Sequence, residues 1–406
     1  MDFETWWLIF VPILFALGWV AARVDIRQML SETRNLPDSY FKGLNFILNE
    51  EPDRAIDAFI EVAKLDPETT ELHFALGSLF RRRGEMERAI RVHQSLLARS
   101  DLPQAEREQA LYELAHDFLK AGMLDRAEQT FQQVLETRYA VSAVRALIRI
   151  YESEHDWPRA IDAVRRLRGL VDEPVPQLAH YQCELAQAAL AVKPPDIQEA
   201  VAALDAAEHA AKKLVGDGQG QAAMTRIAML RAGVARMQGE YDGERVFLES
   251  VLSGAPAYSG LVAAQLYENY QRGGQSAQGL ALLRQHYLRH PSLDVFNVVF
   301  RGLREQTGHD QAWAFAREAL QAQPSLLGLD RLLEVELAAP EGERVAVQGQ
   351  SLADLGLLRK LIHRHTQRLD RYACRECGFE ARHYYWQCPG CNAWETYQPR
   401  RIEEAV

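Results

Sequence analysis

The residues best equipped for chemistry lie near the C-terminus, in RYACRECGFEARHYYWQCPGCNAWETYQPR (371–400). Cys374, Cys377, Cys388 and Cys391 form two C-x-x-C pairs there, and the rest of the chain holds only one other cysteine, Cys183. A C-x-x-C turn aims its sulfurs and the following backbone N–H groups at a common point, so two facing turns supply the four thiolates of a tetrahedral ion. Gly378 after the first pair, and Pro389 and Gly390 within the second, permit turns that wrap metal–sulfur bonds of about 2.3 Å. The spacing therefore predicts one iron or zinc ion bound by four cysteines; a pair of redox disulfides is the competing use of the same residues. His363 and His365 stand just upstream, but four thiolates already complete a tetrahedral shell.

The sequences C-x-x-C-G and C-P-x-C resemble the two knuckles of rubredoxin, which carries a single iron for electron transfer, and equally those of zinc ribbons. The ten residues between the knuckles, GFEARHYYWQ, make a shorter loop than in free rubredoxins and indicate a cut-down domain. Below about 40 residues a chain has too little core to stand alone, so the ion must supply folding energy. Phe379, Tyr384, Tyr385, Trp386, Trp394 and Tyr397 are then expected to pack on the knot or against the preceding helices rather than on nucleotides. LLRKLIHRHTQRLDRY (357–372) reads as the helix that delivers the knot.

The elements in front of the knot are helical. Between residues 36 and about 340 the apolar spacing is that of helices, with almost no strand-like alternation. Gly43 and Gly77, Phe46 and Phe80, and Ala55 and Ala89 are each 34 residues apart. Ala115, Phe118, Ala127 and Phe131 continue the frame after a lengthening around S-D-L-P, followed by Ile148, Tyr151 and Ala160. A 34-residue period with small residues where two helices cross, and aromatics one turn later, resembles the tetratricopeptide repeat. Gly84 and Gly122 occupy the turns, where a left-handed residue ends the first helix of a pair. Weaker copies follow, keeping Ala186, Ala200 and Ala207 and then turns at Gly239, Gly274 and Gly308. About eight to nine helix pairs are expected, stacked into a superhelical solenoid whose groove takes partner proteins. Within them Arg81–Arg83 read as a solvated helix end, Cys183 as a buried inert thiol, and His73, His93, His116, His155 and His180 as packing or surface residues.

Trp6 to Ala22, WWLIFVPILFALGWVAA, runs 17 residues without a charge, enough to cross hydrocarbon as a helix. Asp2 and Glu4 precede it while Arg23 and Arg27 follow, the reverse of a cleaved signal peptide, so residues 1–23 are expected to remain as an anchor with the bulk of the chain cytoplasmic. Trp6, Trp7 and Trp19 suit the two interfaces, Pro12 sits mid-span and Ala22 closes the run. A net charge of −10 argues against a nucleic-acid partner, and sparse, clustered cysteine argues against a secreted disulfide scaffold. No phosphate loop, nucleophile elbow or H-E-x-x-H motif is present, so nothing in the sequence supports an enzyme.

The expected organisation is therefore all-α: anchor (1–23), tetratricopeptide solenoid (36–340), linker and delivering helix (341–370), and four-cysteine metal knot (371–400). This order, together with C-R-E-C-G-F and W-Q-C-P-G-C, resembles the lipopolysaccharide assembly protein B family of Gram-negative bacteria over essentially the whole chain. That resemblance implies an inner-membrane adaptor that restrains lipopolysaccharide synthesis and promotes degradation, by the membrane AAA+ zinc protease, of the deacetylase that commits precursors to lipid A. It also implies a small membrane partner protein of lipopolysaccharide assembly and a signalling inner-membrane protein; self-association into a homo-oligomer is compatible with it. The rival readings are a rubredoxin-type electron carrier and a generic membrane-tethered scaffold.

Overall fold

The structure, a computed structural model, describes residues 42–43, 45–46, 49, 51–65, 70–171, 173–215, 220–338 and 352–405, together with Trp19. The expected anchor residues Trp6, Trp7, Pro12 and Ala22 lie outside the described residues; Trp19 is helical and exposed. Among the described residues no single helix is long and apolar enough to cross a membrane.

The chain divides into two compact units, Met1–Ile150 and Tyr151–Val406. The first contains α1 (Pro52–Leu65), α2 (Thr70–Arg83), α3 (Met86–Leu97), α4 (Gln104–Lys120), α5 (Leu124–Gln132) and most of α6 (Ala140–Glu154). In α2, Leu72, Leu76, Leu79 and Phe80 are buried on one face, while Glu71 in the first turn and Arg81–Arg83 in the last suit the helix dipole. These residues form a core with Ala55, Ile56, Phe59 and Ala89. Gly77 is required where α2 crosses α3, because a Cβ there would meet the His93 ring at 2.3 Å. His93 is fully buried, as a packing residue should be, with Nδ1 2.6 Å from Asp117 Oδ2. Asp117 also holds Arg81 at 2.8 Å, so one of the three arginines expected to be solvated is instead tied into a buried network.

The second unit continues with α7 (Trp157–Leu170), α8 (Gln177–Ala191), α9 (Ile197–Val215), α10 (Gln221–Gln238) and α11 (Tyr241–Gly254). A 3-10 turn (Pro256–Tyr258) leads to α12 (Ser259–Arg272), α13 (Ser276–Arg289), α14 (Leu293–Thr307), α15 (His309–Ala322), α16 (Leu326–Ala338) and α17 (Leu352–Leu369). Its core runs through Leu248, Leu266, Leu283, Phe296, Phe300 and Phe315. Helix α17 packs along α16 and leads directly into a small ribbon, where β1 (Tyr372–Ala373) pairs antiparallel with β2 (Glu380–Ala381). One turn of helix, α18 (Ile402–Ala405), ends the described chain.

Five of the described inter-helix turns share one hydrogen-bond pattern. Glu85 N donates to Phe80 O, Met123 N to Phe118 O, Asp156 N to Tyr151 O, Glu240 N to Ala235 O and Gln275 N to Tyr270 O, each at 2.9 Å. This is the Schellman closure, and the residue before each donor is left-handed: Gly84, Gly122, His155, Gly239 and Gly274. The repeated glycines thus mark a backbone requirement, one that His155 meets without being glycine.

Two glycines at one end of α10 separate this requirement from ordinary helix propensity. Gly239 has φ +79°, whereas Gly233 is helical and a Cβ there would meet nothing within 4 Å. Gly239→Ala should lower the unfolding free energy by about 1 kcal/mol. Gly233→Ala should raise it by roughly 0.5–1 kcal/mol. Urea unfolding followed by circular dichroism reads both, and equal effects would contradict the assignment.

Candidate metal centre

The ribbon is built from two near-identical turns. In the first, Gly378 N donates to Cys374 O at 3.0 Å and Cys374 N to Phe379 O at 3.0 Å. In the second, Asn392 N donates to Cys388 O at 2.8 Å and Cys388 N to Ala393 O at 2.8 Å. The residue after each pair is left-handed, Gly378 at φ +72° and Asn392 at φ +59°. Asparagine tolerates this region through its short polar side chain, so Asn392 is the counterpart of Gly378 that the pattern of glycines did not reveal. Gly390 favours the close approach of the two turns, since a Cβ there would lie 3.1 Å from Phe379 Cβ and 3.3 Å from Cys377 Sγ and push them back by a few tenths of an ångström.

The two turns face each other and bring Cys374, Cys377, Cys388 and Cys391 together, all four sulfurs lying within 4.8 Å of one another. The separations across the turns are 3.8 Å for Cys374–Cys391 and 3.6 Å for Cys377–Cys388. A tetrahedral ion with metal–sulfur bonds of about 2.3 Å sets its sulfurs about 3.8 Å apart. A disulfide needs about 2.05 Å, and all four cysteines are free. The donor set and spacing fit a four-cysteine rubredoxin-type metal site. Cys374 and Cys388 are buried, whereas Cys377 and Cys391 are exposed.

Backbone amides point at the sulfurs, as the turn geometry requires: Glu376 and Cys377 at Cys374, Phe379 at Cys377, and Ala393 at Cys391. Burial opposes ionisation of Cys374, yet Thr396 Oγ1 at 3.2 Å and these amides bring its thiol down to about 6. Cys391 moves the other way, up to about 12, because desolvation and the neighbouring sulfurs outweigh its Ala393 hydrogen bond. Crowding thus resists four thiolates side by side, and a bound cation is what offsets it. His363 lies elsewhere, its Nδ1 2.8 Å from Asp330 Oδ2, and neither it nor His365 joins the cluster.

The ribbon is seated on the helices of its own unit through aromatic rings flanking the second turn. Glu395 N donates to Trp386 O at 2.9 Å, and Gln387 and Trp394 form a bridge, so Trp386 and Trp394 stand on the two legs below Cys388 and Cys391. Trp394 stacks on His180 of α8, centroids 4.9 Å apart, and meets Trp157 and Tyr181 edge-on. Its Nε1 donates to Glu152 at 2.9 Å, which also accepts from Tyr181 Oη. Trp386 stacks on Tyr258 at 5.7 Å. Arg226 of α10, only 3% exposed, lies 5.9 Å from both indole rings and pairs with Glu184. Of the six ribbon aromatics, Phe379 and Tyr385 remain exposed; Tyr397 is buried beside Cys374 and Cys388. Cys183 is fully buried, and burial pushes its thiol up to about 12, as an inert packing residue requires.

His180 is a packing residue with an unforeseen role. Its Nε2 lies 2.7 Å from Glu395 and its Nδ1 3.4 Å from Arg226, so a neutral imidazole bridges a ribbon carboxylate and a buried guanidinium. Burial holds its basicity below the ordinary value of 6.5, outweighing Glu395, and Arg226 adds to the depression. The folded chain therefore binds fewer protons here than the unfolded chain. This contribution to stability is complete above pH 6.5 and is lost as the pH falls from 6.5 toward the folded value. Melting temperature should fall with pH over that window more steeply in the native chain than in His180→Gln; parallel profiles would contradict the role. Replacing Cys388 and Cys391 together by serine should take metal content from about one ion per chain to near zero by elemental analysis. Retained metal would overturn the site.

Residues 372–399 match the family described as rubredoxin metal binding domain, and residues 42–105 and 112–174 match tetratricopeptide repeat. Lipopolysaccharide assembly protein B of Escherichia coli (strain K12) is 30% identical over 394 residues, covering 96% of this chain and 97% of that protein. The Haemophilus influenzae (strain ATCC 51907 / DSM 11121 / KW20 / Rd) protein of the same name is 27% identical over 406 residues, covering 97% and 98%. A solved tetratricopeptide repeat protein from Parabacteroides merdae ATCC 43184 aligns with 73% of this chain and 98% of its own at 14% identity, with a TM-score of 0.30, too low to carry an argument. With helix-pair repeats ending in a four-cysteine ribbon, and a relative this similar along nearly its whole length, the chain belongs to the lipopolysaccharide assembly protein B family.

Proposed function

We propose that this chain is an inner-membrane-anchored cytoplasmic adaptor that restrains lipopolysaccharide synthesis. It delivers the lipid A-committing deacetylase to the membrane AAA+ protease, working alongside the small membrane partner of lipopolysaccharide assembly and the signalling inner-membrane protein. The observation that carries this reading is similarity along 96% of the chain to a protein named for lipopolysaccharide assembly. Helix-pair repeats are suited to holding partner segments, and no catalytic family is matched.

On this reading Cys374, Cys377, Cys388 and Cys391 ligate one iron or zinc ion. The ion supplies folding energy to a ribbon too small to fold alone. The chain's own residues do the rest: the amides of each turn orient the sulfurs, and Trp386 and Trp394 fix the ribbon to α8, α10 and the Pro256–Tyr258 turn. Residues 1–23, with Trp6, Trp7 and Trp19 at the interfaces, confine adaptor, substrate and protease to one plane and raise their effective concentration.

The test replaces the native copy in cells with a chain lacking residues 1–23. That variant should fold and retain its metal, yet deacetylase should accumulate; normal deacetylase levels would contradict the membrane-adaptor reading. Purified full-length protein that is red and bleaches reversibly on reduction, with deacetylase unaffected by its depletion, would instead favour electron transfer.

A further inference from the structure

The chain continues past the ribbon as R-I-E-E-A-V (401–406), and the single turn α18 carries two adjacent carboxylates to two different helices. Glu403 takes the exposed start of α16: its carboxylate accepts from Leu326 N at 2.7 Å, Leu327 N at 3.1 Å and Ser325 Oγ at 2.6 Å. Ser325 Oγ in turn accepts from Gly328 N at 2.8 Å, so the first three amides of α16 are all satisfied. Glu404 takes the start of α14, accepting from Leu293 N at 2.7 Å, while its other oxygen accepts from Arg401 N at 3.0 Å.

Arg401 completes the grip. Its Nε and Nη2 donate to the two oxygens of Asp294, in the first turn of α14, at 3.0 and 3.1 Å. Its Nη1 donates to Asp370 O and Arg382 O at 3.2 Å each, and its guanidinium lies 4.2 Å from the centre of the Tyr372 ring. Ile402 N donates to Arg371 O at 2.8 Å. Beside these contacts lies a cavity of about 270 Å³, lined by Tyr287, Phe296 and Leu320 as well as Glu403 and Glu404. Helix N-termini present unpaired amides and the positive end of the dipole, and two of them open here onto one cavity of mixed polar and apolar lining.

We propose that this groove across the starts of α14 and α16 is a peptide-binding site for an Arg-x-Glu-Glu turn, occupied in cis by the chain's own residues 401–404. Filling it locks the ribbon's exit to the last helices. The site selects adjacent carboxylates, one for each helix start, and an arginine two residues earlier that neutralises Asp294 and reaches back to the ribbon backbone. This assignment is independent of any role in lipopolysaccharide control.

The experiment compares the full chain with one ending at Pro399, using a fluorescently labelled peptide of sequence RRIEEAV as the probe. The truncated chain should bind the peptide and the intact chain should not. A peptide with glutamine in place of both glutamates should bind at least roughly tenfold more weakly, since charge-assisted contacts to three helix-start amides are lost. Folded truncated chain that ignores the peptide, or binds both peptides equally, would overturn the proposal. If truncation prevents folding, the full-length Glu403→Gln/Glu404→Gln chain serves instead. The amides of Leu293, Leu326 and Leu327 should then exchange roughly tenfold faster than in the native chain, and unchanged exchange at all three would equally overturn the proposal.

Discussion

Four sulfurs within 4.8 Å of one another are the constraint on which the C-terminal ribbon and its seating on the helices depend. The ribbon's buried core consists of Tyr372, Cys374, Cys388 and Tyr397, so two of its four members are themselves sulfur donors. Two-residue strands and isolated bridges cannot hold such a unit together. A cation that compensates the thiolates can, and the site's geometry accommodates one. The consequence extends beyond the cluster. Trp386 and Trp394 stand on the legs of the second turn, and Glu395 follows directly, so the residues that meet α8, α10 and the Pro256–Tyr258 turn are held in place by the turn that carries Cys388 and Cys391.

The seating itself combines apolar stacking with a charge relay of three groups. Arg226 is buried with its partner Glu184 on the helix side, and neutral His180 carries a hydrogen-bond path from Arg226 to Glu395 on the ribbon. Breaking any member leaves a buried polar group without its partner, which costs more than the contact itself contributes. Registry is therefore specified as well as affinity: indoles alone could slide on Tyr181 and Tyr258, whereas the Glu395–His180 and Trp394–Glu152 hydrogen bonds fit one position.

Much of this was legible in the sequence. The 34-residue spacing of Gly43/Gly77 and Ala55/Ala89 reflects steric limits where helices cross, and such limits leave a direct trace in residue size. The two C-x-x-C pairs are legible because metal geometry fixes both residue type and spacing. His180 is different: a lone histidine on an apolar helix face looks like any packing residue until Glu395, 215 positions away, is brought beside it. Asn392 was hidden because its left-handed turn is occupied by a residue that only sometimes adopts that conformation. Arg81 was hidden among neighbours that do face solvent. The tail at 401–404 lies outside the knot's motif, and two glutamates near a terminus carry no sign that helix starts await them. Long-range pairings between chemically ordinary residues are where sequence reading ends, whereas the apolar run at 6–22 is legible in sequence and, apart from Trp19, lies outside the described residues.

A ribbon that needs its ion to keep its seat on the helices would make their protection depend on the metal. The most direct measurement is hydrogen exchange of the purified full-length protein before and after its metal is removed by a chelator, and again after metal is restored. Exchange should rise not only in residues 372–399 but also in α8, α10 and the Pro256–Tyr258 turn, and restoring the ion should reverse both changes. Loss of protection confined to the ribbon, with α8 and α10 unchanged, would contradict that dependence.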